Sequence, residues 1–405
     1  MYLAGLTHRD RLFDIACRWL ADRVQPEDGR ELTQIFAFER AITAPSVRSL
    51  VADLARSLRP GPLRLFRVTT KDAVREAIVS AVTNPTPRVQ ELLTRYRELP
   101  EEFFPRTPVN MSLIFREDGS LVGMVRRKRI RRIADKVSRQ VANQLAGEID
   151  EVARSLAGER ARREGVALDH LRSSHDQMVE EFAAAERVVA DRIRGMRITL
   201  DAERQRVDDV IGVRLMVTPD QLERLEQALD DREDTWACQR KIHDGSYVGT
   251  HYLVDLELPP VDDIVRAMRD VDWSFADGRG VSLFDLESDF YEYVTSGSRT
   301  VRVELIANTM EDLVESEFGR SIHEVRILEQ RAAYTGRIAQ NASWIIEYML
   351  QLAISPTVLV PDLPIKIWGR YVRDTVAQAL SRLNNGDREE WLVPRERAQQ
   401  GVISL

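Results

Sequence analysis

Apolar residues recur every three or four positions from Lys136 to about Glu164, at Val137, Val141, Leu145, Ile149, Val152 and Leu156. That spacing predicts one long amphipathic helix. After Gly165, "LDHLRSSHDQMVEEFAAAERVVADRI" repeats the period, so the pair predicts a helical hairpin inserted at about 141–200. Residues 1 to about 60 also carry helical spacing, with Leu12, Ile15, Ala16 and Leu20 on one face. Elsewhere the period is that of strands. "VIGVRLMV", "GTHYLVDLEL" and "RTVRVELIA" are strand-like, and the helices "PDQLERLEQALDD" and "VDDIVRAM" lie between them. "SLIFREDGSLVGMV" predicts a hairpin, its Asp-Gly supplying the positive φ of a tight turn. Thr309, with Asp312 three residues on, predicts a capped helix start and a helical pattern to Ile354. Pro356, Pro361 and Pro364 then mark a linker over 356–365, before a last helix from about Trp368 to Leu383.

A chain of 405 residues is long for a single core. The pattern divides it into a mainly helical N-terminal domain at 1–120, a mixed α/β domain at 121–330 and a helical C-terminal region at 331–405. With 30% charged residues and a formal net charge of −7, a general affinity for nucleic acid is not expected, although a local basic patch could bind phosphates. Cys17 and Cys238 are the only cysteines and have no zinc-type spacing, so a reducing, cytoplasmic setting is the expectation. The N-terminal apolar positions are broken by acids and arginines, unlike a secretory signal. "WIIEYMLQLAI", interrupted by Glu347, is too short for a membrane span, so no membrane partner is expected.

Four short elements carry candidate chemistry. "RRKRIRRIADK" has six basic residues in the seven positions from Arg126 to Arg132. Such a block suits charge-assisted bonds to phosphates, or a solvated face. In "RVDDVIGVRLMV", Asp209 stands at the mouth of a strand, where it is either the solvated strand end or half of a metal site. Gly212, inside that strand, marks a close approach by another group. In "GSYVGTHYLV", Tyr247, Gly249 and His251 alternate and share a face, which suits a stacked base or an ordinary half-buried strand. In "VRVELIANT", Glu304 interrupts the alternation on the face opposite Val301, Val303 and Leu305. There it could reach a metal or a hydroxyl, or pair with an arginine.

In this order, "DVIGVR", "GSYVGTH" and "VELIANT" resemble the three signature strands of the RelA/SpoT-type nucleotide pyrophosphokinase (alarmone synthetase) domain. "RIRRIADK" resembles that family's basic donor loop, and the likeness covers about residues 121–330. It implies an α/β (α+β) fold with a nucleotidyltransferase-like mixed β-sheet, flanking helices, the helical hairpin insertion, and helical regions at both ends. It also implies an enzyme that moves the β,γ-pyrophosphate of ATP onto the 3′-hydroxyl of a guanine nucleotide (GDP or GTP), giving a (p)ppGpp-type alarmone. Asp209 and Glu304 would be the catalytic pair and would hold Mg²⁺, Glu304 also orienting or deprotonating the attacking hydroxyl. Arg129, Arg131, Lys136, Arg214 and His251 would bind the donor's phosphates, and Tyr247 would stack on the acceptor base.

The departures bear on the acceptor. Gly249 stands where the family has Ser, Ser246 where it has Gly, and Ile306 and Asn308 where it has Gln and Arg. Gly249 and Ile306 each lack a polar side chain that could meet substrate. An adenine nucleotide or the tRNA 3′ end as acceptor, and a degenerate nucleotide-binding or interaction module, are the alternatives. "RIRGMR" at Arg192 to Arg197 is a second candidate donor loop. A regulatory protein is a further conceivable partner, and the helical insertion offers a seam for an oligomer. The metal-binding His and His-Asp set of the family's hydrolases is not evident, since only His8 precedes the basic loop. His170 and His175 are read as surface residues.

Overall fold

The computed structural model describes residues 1–244, 248–269, 271, 273, 282–319, 337–353 and 367. The chain runs β1 (Tyr2–Leu3), α1 (Arg9–Leu20), α2 (Asp28–Leu58), β2 (Leu63–Thr70), α3 (Lys71–Ala81), α4 (Pro87–Glu98), β3 (Pro108–Arg116) and β4 (Leu121–Arg127). It continues through α5 (Ile130–Glu164), α6 (His175–Arg194), β5 (Arg206–Val207), β6 (Ile211–Met216), α7 (Pro219–Asp230), β7 (Thr235–Asp244) and β8 (Val248–Glu257). Last come α8 (Val261–Met268), α9 (Leu286–Ser296), β9 (Thr300–Asn308), α10 (Met310–Phe318) and α11 (Arg337–Leu352). Among the described residues seven strands form one mixed sheet in the order β2-β3-β4-β6-β9-β8-β7. Its parallel pair, β6 with β9, sits in the middle, and the other neighbours are antiparallel.

The fold is thus the expected mixed α/β sheet with flanking helices. The "EDGS" hairpin forms, with Gly119 at φ +80°, and Thr309 and Asp312 make the expected capping box. The helix expected from Lys136 begins earlier, at Ile130. The second helix of the hairpin begins at His175, later than its periodicity suggested, because Ser174 accepts from Gln177 N and Gln177 bonds back to the Ser174 amide. β7, an edge strand of mixed polarity, was not marked by any alternation. The Pro-marked linker and the last helix lie outside the described residues, as does 320–336 in the region read as helical. Among the described residues no helix is long and apolar enough to cross a membrane.

Residues two apart on a strand share a face, so the alternation gives the sheet two unlike sides. On one side Val301, Val303 and Leu305 of β9, Tyr252, Val254 and Leu256 of β8, and Val213 and Leu215 of β6 are buried. They share a core with Leu12 and Trp19 of α1, Phe38 of α2, Val137 and Val141 of α5, and Ile345 of α11. Residues 1–58 therefore pack directly against the sheet, and position 120 falls in the turn between β3 and β4.

The other side is divided. Towards β2, β3 and β4 it is covered by α3, α4 and α10 around a second core that includes Val74, Ile78, Leu92, Tyr96, Met124, Leu313 and Phe318. Beyond that cover, β4, β6, β9 and β8 present Arg126, Gly212, Glu304, Arg302, His251 and Asp255. One buried charge cluster ties the cover down. Lys71 Nζ donates to both carboxylate oxygens of Glu317, at 3.0 and 2.7 Å, and Arg75, fully buried, lies 3.6 Å from Oε2.

Burial would raise the Glu317 carboxyl, but Lys71 and then Arg75 outweigh it and bring it down to about 2. A depressed carboxylate contributes stability that is present above its unfolded value, 4.5, and lost as pH falls towards about 2. Glu317→Gln is expected to lower stability at neutral pH by about 3 kcal/mol. It should also flatten the loss of stability between pH 4.5 and 2, read by denaturant unfolding at a series of pH values.

Candidate active site

The basic loop is sorted by a change of backbone period. Through Arg127 it is strand, and Lys128 N continues the ladder by donating to Val210 O at 2.8 Å. Arg126 thus points to the open face, whereas Arg127 points to the opposite side, where it donates to Thr43 Oγ1 of α2 at 2.7 Å. From Ile130 the period is helical. Ile133, Ala134 and Val137 enter the core, and Lys136 comes round to Asp209.

Two carboxylates lie at the centre. Asp209 sits just before β6, Lys128 Nζ donating to its Oδ2 and Lys136 Nζ to its Oδ1 at 3.1 Å. Glu304, on β9, takes Arg126 Nη2 on Oε2 at 2.9 Å, and His251 Nδ1 lies 3.3 Å from its Oε1. All four oxygens therefore face a nitrogen. His251 in turn packs edge-on against His243, their ring centroids 4.5 Å apart.

Arg126 belongs to β4 and Glu304 to β9, and β6 runs between them, with Gly212 paired to both. A Cβ on Gly212 would lie 2.7 Å from Arg126 Nε and 3.1 Å from its Cγ. The glycine is thus the gap through which the arginine reaches the acid. The close approach that a strand-interior glycine marks is made here by a side chain.

Electrostatics follow the contacts. Burial would raise the Asp209 carboxyl, but Lys128, then Lys136 and Arg126, outweigh it and hold it well below the ordinary range. Glu304 is likewise pushed up by burial and by Asp209, and is held below its ordinary value by the hydrogen bond with His251 and the charge of Arg126. Burial pulls the Lys128 ammonium down to about 8 against the attraction of Asp209. Both acids are ionised at neutral pH, and with three full cations around them the patch is positive. Among the described residues no group of three or more His, Cys, Asp or Glu could hold a metal. Asp209, just before β6, and Glu304, on the neighbouring β9, are the residues that would hold Mg²⁺, which takes one or two protein carboxylates together with substrate phosphate oxygens.

Arg129 is the residue before α5, and its carbonyl accepts from Arg132 N and Ile133 N. Arg131 donates to Glu347 of α11 at 2.6 Å and lies over the Trp344 ring. Arg214 shares the face of Gly212 but donates to Ser316 of α10 at 3.2 Å. Tyr247 lies outside the described residues. Asp208 lies within reach of Arg206 and Arg302, at 2.9 and 3.3 Å. Arg192, Arg194 and Arg197 lie exposed at the end of α6.

No protein-family model matches the chain, and no curated protein matches it. Among solved structures it is similar to the small alarmone synthetase 1 from Bacillus subtilis, at 15% identity over 69% of this chain and 96% of that one, with a TM-score of 0.19. It is similar as well to the same protein bound to its product pppGpp, at 15% identity over 70% and 93%, also with a TM-score of 0.19. The likeness is a distant one.

Arg126 and Lys128 are the site residues that sequence reasoning missed. Both lie in the quoted basic block, and the signal that finds them is phase: two residues apart on a strand, they share the face of Gly212 and Glu304. Asn308, two positions beyond Ile306 on β9, is buried with neither side-chain amide atom partnered among the described residues.

If Gly212 is there to let Arg126 pass, Gly212→Ala and Arg126→Ala should be strongly non-additive. A coupling of about 0.5–3 kcal/mol is expected in a double-mutant cycle by denaturant unfolding, the alanine at 212 costing less once Arg126 is gone. Additive costs would show that the glycine serves something else.

Proposed function

We propose that this chain transfers the β,γ-pyrophosphate of ATP to the 3′-hydroxyl of a guanine nucleotide. The observation that carries this reading is the meeting of Asp209 and Glu304 with Arg126, Lys128, Lys136 and His251 on one open face. Transfer between phosphates and hydroxyls needs mainly positioning and charge neutralisation, and a net-positive ring around two acids supplies both.

In this reading Arg126, Lys128 and Lys136 bind the donor's phosphate chain. The acceptor oxygen attacks the β-phosphorus, the bond from that phosphorus to the α,β-bridging oxygen breaks, and AMP leaves. Glu304, ionised at neutral pH, accepts the hydrogen bond of the attacking hydroxyl, aims its oxygen and takes its proton as the new bond forms. His251 orients the carboxylate by holding its other oxygen. Asp209 and Glu304 would hold Mg²⁺, which when bound neutralises charge on the phosphates. Lys128, buried and held by Asp209, gives the loop a fixed point from which Lys136, in the second turn of α5, reaches the same acid.

Purified protein with labelled ATP, Mg²⁺ and a panel of guanine nucleotides, adenine nucleotides and tRNA is expected to place both β- and γ-label on a guanine nucleotide and to leave α-label in AMP. Transfer of γ-label alone would mean an ordinary kinase, and transfer of α-label a nucleotidyltransferase. Asp209→Asn and Glu304→Gln should each lower the rate at least ~100-fold in variants that circular dichroism shows to be folded. Label on no acceptor overturns the reading.

A further inference from the structure

Every oxygen of the two acids already has a nitrogen beside it. Lys128 and Lys136 take both oxygens of Asp209, and Arg126 and His251 flank both oxygens of Glu304. The two carboxylate side chains are only 22% and 14% exposed, and the Lys128 side chain 13%. A divalent cation arriving alone would have to part these pairs and enter a patch where the cations outnumber the acids. A polyphosphate chain offers what the metal does not: oxygens that compete for the same ammonium and guanidinium groups.

We infer that the donor nucleotide, and not the metal, opens this site: its phosphates draw Arg126, Lys128 and Lys136 off the carboxylates, and Asp209 and Glu304 then become available to a divalent cation. The inference rests on the functional reading above, and it assigns these three cations a second task. Before substrate arrives they are placeholders that keep the acids paired, and afterwards they are donor ligands. By linkage, whatever the nucleotide adds to the cation's affinity the cation adds to the nucleotide's. Arg126 is the positioning residue of the set. It reaches Glu304 only across the gap at Gly212.

The probe is Mn²⁺ alone, with its free concentration read by electron paramagnetic resonance in the presence of nucleotide-free protein. Unaltered protein is expected to bind it weakly. Arg126→Gln and Lys128→Gln should each tighten binding by about tenfold or more. Adding Asp209→Asn to Lys128→Gln should abolish the gain, and if Lys128→Gln does not fold, Arg126→Gln with and without Glu304→Gln makes the same comparison. Cations with a merely structural role would leave Mn²⁺ affinity unmoved. Equal affinity in unaltered and variant proteins therefore overturns the inference, as does tight binding to the unaltered protein. The two readings fail separately: the expected Mn²⁺ shifts without pyrophosphate transfer sink the functional reading, and transfer with unshifted Mn²⁺ affinity sinks this one.

Discussion

The guanidinium of Arg126 reaches Glu304 across a strand to which neither belongs, and the arrangement of the open face depends on that span. It requires β4, β6 and β9 to be adjacent, it requires their register to place Arg126, Gly212 and Glu304 in one row, and it requires the middle residue to have no side chain. Without the glycine, the arginine would have to leave its place. The parallel pairing of β6 with β9 sets Asp209, just before one strand, on the same side as the acid on the next. The negative charges are brought near each other and held there by cations from a third strand and the helix that follows it.

The rest of the fold serves to make one face of this sheet apolar and leave part of the other open. Helices from both ends of the described chain, α1 and α2 from the start and α11 near the end, pack with α5 over the apolar face. On the far side α3, α4 and α10 cover the sheet only as far as β4 and β6. The edge of that cover carries charge into the interior, and Lys71, Arg75 and Glu317 are tolerated there because each is matched. Arg214, on the same face, is drawn to the cover by Ser316 rather than to the acids. The open region is therefore bounded on one side by a stable wall.

Local order also explains why so few of the basic block's residues meet the acids. Six cations in seven positions cannot share a side when the backbone turns from strand to helix among them. Arg126 and Lys128 emerge on the open face by the strand's period of two, and Arg127 between them goes to the opposite side and Thr43. Past Ile130 a rotation of about 100° per residue carries Arg131 to Glu347 and Trp344 and brings Lys136 back to Asp209.

By itself the sequence determined the elements whose signals are local. The spacing of Val137, Val141 and Leu145 forecast the long helix, the Asp-Gly turn forecast the β3–β4 hairpin, and Thr309 with Asp312 forecast the start of α10. Alternation along β9 also set Glu304 on the side away from Val301, Val303 and Leu305. What tertiary structure alone decided is partnership. Which arginine would meet Glu304 depends on the order of strands far apart in sequence. Which basic residues would meet Asp209 depends on the point at which β4 ends and α5 begins, a shift of one residue being enough to send them elsewhere. Charge is a property of residues, but the direction in which it points is a property of backbone phase and register. Both are set by the pairing of β4, β6 and β9, strands far apart in the sequence.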